Sequence, residues 1–210
     1  MELTVLRPYP KVVYFYMTWI ASLVCGIITS LSDNPSPTIT YVWLLIFTFN
    51  LLVISFEFGR MVSVAVVFFV LALIFLGAWL GFLTKMFSFL GSIEPHADHR
   101  FYFTVFVAFT IIYLLVFVQT RFNYWVVRRN ELLHKHGFLG DVKRYHAQNI
   151  KIHKEIPDIL EFILLLSGTI VVHPEGESRA FVLDNIIGIN RKEKEVKEIL
   201  ESYAVRIDKD

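Results

Sequence analysis

The chain has 210 residues, enough for one large domain or two small ones, and 55% of them are hydrophobic. The formal net charge is +1, split 5 basic to 5 acidic over residues 1–120 and 15 to 14 over 121–210. Neither half carries the basic surplus of a nucleic-acid binder, and a single cysteine, Cys25, rules out an intramolecular disulfide framework.

Pro8 and Pro10 delay the first helix to about Lys11. Four apolar runs follow, at about 12–31, 39–56, 61–83 and 101–118, each long enough to cross a bilayer core as a helix. The first is longer than a signal-peptide core and lacks a small-residue cleavage site, so it reads as a retained span. Within it Thr18, Ser22, Gly26 and Ser30 recur every four residues, a stripe that lets another helix approach closely. In the second run Asn50 is expected to hydrogen-bond between helices. The third holds Gly77 and Gly81 at G-x-x-x-G spacing. Ser22, Gly26, Asn50, Gly77 and Gly81 are therefore the expected helix-packing residues. Glu57 and Arg60, three apart in a short polar break, are expected to form an interfacial ion pair. With four spans, Arg7, Lys11, Arg60 and the Arg121, Arg128, Arg129 cluster fall on one side. The positive-inside rule makes that side cytoplasmic, with both termini inside.

The composition changes after Val118. Residues 122–129, 131–136, 142–147, 150–155, 169–173 and 180–183 read as short strands, with Gly137 and Gly140 bounding a hairpin. Residues 156–167 fit either a short helix begun after Pro157 or an apolar loop ending at Gly168. A helix from Arg191 to about Tyr203 follows, with Asn190 as its cap and Val196, Ile199, Leu200 and Tyr203 on one face. The expected fold is thus membrane α plus soluble α+β. A four-helix transmembrane bundle over 1–120 precedes a small antiparallel sheet or barrel over 121–210, capped by a C-terminal helix.

Tyr124-Trp-Val-Val-Arg128, Glu131-Leu-Leu through Gly137, the basic strand around Lys143 and Arg144, Gly168-Thr-Ile-Val-Val172, Phe181 through Ile186 and the charged closing helix are arranged in a familiar order. In that order and in hydrophobic pattern, residues 122–203 resemble the bacterial pleckstrin-homology domains attached to membrane spans. The resemblance implies a bent antiparallel sheet or barrel closed by a helix, acting in interaction and assembly rather than catalysis. It supplies no catalytic residue, and it does not account for the spans.

Other constellations are weaker. His134 and His136, two apart on a strand, share a face, with His146 and His153 expected nearby in the sheet, and Glu94, His96, Asp98 and His99 share a loop; both read as ordinary polar surface rather than metal sites. There is no Gly-x-Ser-x-Gly elbow, phosphate-binding glycine loop or Cys/His pair. The expectation is a non-enzymatic inner-membrane protein without cofactor or metal. Its partners would be membrane lipids and either its own copies or subunits of a larger membrane complex, with no nucleic acid and no small-molecule substrate. Two alternatives stand beside this. Arg121, Arg128, Arg129, Lys143 and Arg144 could face anionic lipid in a lipid sensor, and Glu57, Arg60 and Asn50 could serve a small channel or transporter.

Overall fold

A computed structural model describes residues 3–32, 34–56, 59–93, 95–128, 131–137, 140–146, 150–173 and 180–207. The chain divides into two compact units, one of residues 14–111 and one that joins 1–13 to 112–210.

The first unit is helical. A 3-10 turn at Lys11–Phe15 leads into α1, Tyr16–Leu31. Helix α2 spans Pro37–Ser55, with Ser36 as N-cap accepting from the Thr38 amide and Pro37 at the first helical position, where its missing N–H costs nothing. Helices α3, Arg60–Trp79, and α4, Phe82–Ser92, follow, and then α5, His99–Phe122. The Asp98 carboxylate accepts from the Phe101 amide and so caps α5. Among the described residues, three helices are long and apolar enough to cross a membrane: Lys11–Leu31, Pro37–Ser55 and His99–Phe122. They make this a membrane protein.

The third expected span differs from its sequence reading. The helix stops at Trp79, and Gly81 takes a φ of +66° before α4 starts. A left-handed residue cannot continue a right-handed helix, so 61–83 is not one segment. The uninterrupted apolar stretch described within α3 is Val64–Trp79.

The second unit is mixed. Strand β1, Leu3–Leu6, pairs antiparallel with β2, Tyr124–Arg128, placing Leu6 opposite Trp125. Strands β3, Glu131–His136, and β4, Asp141–His146, extend this sheet in the order β1-β2-β3-β4. Gly137 and Gly140, at φ of +81° and +79°, bound the β3–β4 turn as expected. A second antiparallel sheet runs β5, Lys151–Glu155, β6, Gly168–His173, and β7, Phe181–Ile186. Between β5 and β6 lies α6, Ile159–Leu165, so the helical alternative for 156–167 is the one adopted. The Asp158 carboxylate receives the Glu161 amide at its start, and Leu166 ends it with a φ of +49°.

Helix α7, Ile189–Ile207, closes the unit. It begins before Asn190, whose side chain accepts from Lys154 instead of capping; the turn is made by Gly188 at φ +66°. One apolar core joins the three layers. Leu6, Trp125 and Leu132 from the first sheet meet Ile170 and Leu183 from the second and Ile199 from α7. No closed barrel forms among the described strands.

The N-terminal strand changes the domain plan. Residues 3–6, expected to be a lead-in to the first span, are an edge strand of the mixed unit. The helices are thus inserted between β1 and β2, and a boundary at residue 120 would separate paired strands.

Candidate functional site

Within the helical unit, small and polar side chains bring α1, α2 and α5 together. Thr18, Ser22, Cys25, Gly26 and Thr29 form the buried face of α1. A Cβ built on Gly26 would sit 3.1 Å from the Phe103 ring on α5, so glycine is what admits that ring. Asn50 Nδ2 donates to Thr18 Oγ1 at 2.5 Å, Trp43 Nε1 to Ser22 Oγ at 2.8 Å, and Tyr102 to Thr40 at 3.0 Å. These bonds cross α1–α2 and α2–α5, and Trp19 adds α1–α5 by donating to Thr110 at 2.9 Å. A buried polar group in a bilayer has no water to fall back on, so such pairs fix which helix faces which. Ser30 is exposed and donates to the Ile27 carbonyl, so the expected stripe ends one turn early.

Gly77 and Gly81 do not share one helix, because α3 ends at Trp79. Gly77 is buried on α3, but Gly81 lies in the turn, where a side chain would meet no atom within 4 Å of its Cβ. Every other side chain described on α3 is exposed, including Phe75 at 78% and Trp79 at 79%. Helix α3 packs mainly against α4. Glu57, and the side chain of Arg60, fall outside the described residues, as does Arg129.

On the mixed unit, Lys143 and Arg144 lie exposed on β4, an edge strand. Arg121 is exposed at the end of α5, and Arg128 pairs with Glu131 at 3.1 Å. His134 stacks on Trp125 with ring centroids 3.9 Å apart, and its Nε2 lies 3.2 Å from Asn123 Oδ1. Burial, then the neighbouring His136 and Lys143, lowers the His134 pKa below its usual 6.5. His153 meets His173, not the β3 pair, because β5 belongs to the other sheet. Among the described residues no group of three or more His, Cys, Asp or Glu is placed to hold a metal ion.

Sequence reasoning missed the seam between β1 and α7. Glu195 is buried and accepts from Thr4 Oγ1 at 2.8 Å, Lys192 at 2.8 Å and Arg191 at 2.9 Å. These donors, Lys192 foremost, pull its pKa down to about 2 against the opposing effect of burial. Lys192 and Arg191 were visible as helix neighbours at i,i+3 and i,i+4; Thr4, 191 residues away, was not. A second tie joins Lys11 to the buried Glu161 at 3.2 Å.

The fold and these contacts define an integral membrane protein that carries a mixed unit of two antiparallel sheets and a closing helix. Compared with known proteins, the chain matches no family model, no curated protein and no solved structure.

Proposed function

We propose that the protein is a non-enzymatic membrane scaffold or accessory subunit, built from a helical membrane anchor and a cytoplasmic pleckstrin-homology-like domain that mediates assembly. The observation that carries this reading is α3. Three helices bury polar and small side chains against one another, whereas α3 keeps every described side chain but Gly77 exposed. At 20 residues it would be about 30 Å long, the thickness of a bilayer core, and so would serve as a fourth crossing. An apolar crossing helix not engaged by its own bundle is free to pack against another chain. The four-plus-three strand order with a C-terminal helix supports the pleckstrin-homology-like reading of the mixed unit. Arg7, Lys11 and Arg121, all at or beside the ends of spanning helices, support cytoplasmic termini.

The test is cross-linking in native membranes. Phe75→Cys, exposed on α3 and labelled with a thiol-reactive photo-cross-linker, should on illumination give a cross-linked species containing a second copy or another subunit. Val107→Cys, exposed on α5, should not. Failure of Phe75→Cys and of Phe68→Cys to cross-link to anything would overturn the assembly role of α3.

A further inference from the structure

A cavity of about 390 Å³ in the mixed unit is lined by Val5, Arg7, Tyr9, Ile186, Ile187 and Lys192. It lies where the chain leaves β1 and where β7 turns into α7. Three features give it positive character. Arg7 Nε is buried with no hydrogen-bond partner among the described residues, and the guanidinium lies over the Tyr124 ring, 5.9 Å from the centroid. Lys192 supplies a second cation, shared with Glu195. Helix α7 starts beside the cavity and has no acidic residue in its first turn, so its N-terminal partial charge is not neutralised there. A buried N–H donor on a permanently charged group is costly when unmet, and an oxyanion is the acceptor that meets it best.

We propose that this cavity binds a phosphate group, with Arg7 as its principal donor and Lys192 as the second. Val5, Ile186 and Ile187 leave an apolar wall, which suits an ester that bears carbon beyond its phosphate. Arg7 is four residues from Lys11, where the first membrane-long helix begins, within about 14 Å of extended chain. Two sources share this chemistry: the headgroup of an anionic phospholipid and a free phosphate compound. The site is separate from the exposed basic residues of β4 and independent of the assembly reading.

The experiment uses the full chain. In one arm, protein is exchanged into nanodiscs of equimolar phosphatidylglycerol and phosphatidylcholine, then released, and its retained lipid is counted by native mass spectrometry. In the other, inorganic phosphate is titrated against chloride at matched ionic strength and the melting temperature followed. Wild type should retain phosphatidylglycerol over phosphatidylcholine or be stabilised by phosphate. The first result identifies a headgroup and the second a free phosphate compound. Arg7→Gln should weaken either effect at least tenfold. Ile187→Glu, at a half-exposed wall position, should do the same by placing a carboxylate where the anion would sit, and it serves if Arg7→Gln does not fold. Binding to neither probe, or binding unchanged in a folded Arg7→Gln or Ile187→Glu protein, would overturn the proposal.

Discussion

Glu195 shows how one residue holds two distant parts of the chain. Its carboxylate takes donors from β1 and from its own helix, and Glu193 is similarly lowered by its bonds to Lys154 and Lys197. A carboxylate whose folded pKa lies below its usual 4.5 adds stability above that value and loses it as pH falls toward the folded value. Thermal melting of the detergent-solubilised protein should therefore drop steeply from about pH 4.5 downward. Glu195→Gln should lower stability near neutrality by about 1.5–3 kcal/mol, and its acid slope should be shallower, with Glu193 supplying the remainder. An unchanged slope would show that the seam carries no such charge. His134 acts in the same direction at higher pH. Its lowered pKa means that protonation opposes folding, so its contribution is complete above 6.5 and lost below. His134→Phe should remove the loss of stability expected as pH falls below 6.5; a loss that persists in the variant would assign it to other groups.

At the scale of elements, Gly26 and Gly81 separate two uses of glycine. Gly26→Leu should disrupt α1 against α5, because Phe103 occupies the space its side chain needs. Gly81→Ala meets no neighbour and should cost only the backbone strain of a left-handed residue, about 1 kcal/mol. Equal losses in melting temperature for the two would contradict this division. Asn50→Leu should destabilise the helical unit by about 0.6–1.7 kcal/mol through its lost bond to Thr18. Asn50 was legible in the sequence because one amide in an apolar run has few ways to be satisfied. The break at Gly81 was not, because G-x-x-x-G looks alike whether it packs a helix or ends one. Strand β3 was legible to the residue from its flanking glycine turn. Strand β1 was not: four residues ahead of two prolines carry too little periodicity, and their partner lies about 120 residues on.

For the whole molecule, β1 makes the mixed unit depend on both ends of the chain. Residues 122–210 alone would leave Trp125 and Val127 without the strand that covers that edge. That fragment should melt without cooperativity, whereas the same fragment joined to residues 1–8 through a flexible Gly/Ser linker should melt sharply. Three of the inserted helices, in turn, are long and apolar enough to have been found from hydropathy alone. What hydropathy did not reveal is that α3 stands apart from the other three, since an apolar helix facing lipid and one facing a neighbour have the same composition. The deciding experiment is the native mass of the protein extracted from its own membranes in mild detergent, with every accompanying chain identified. A scaffold or accessory subunit must appear at a defined multiple of 24.5 kDa or in fixed stoichiometry with other chains. A lone monomer across detergents and concentrations would contradict it.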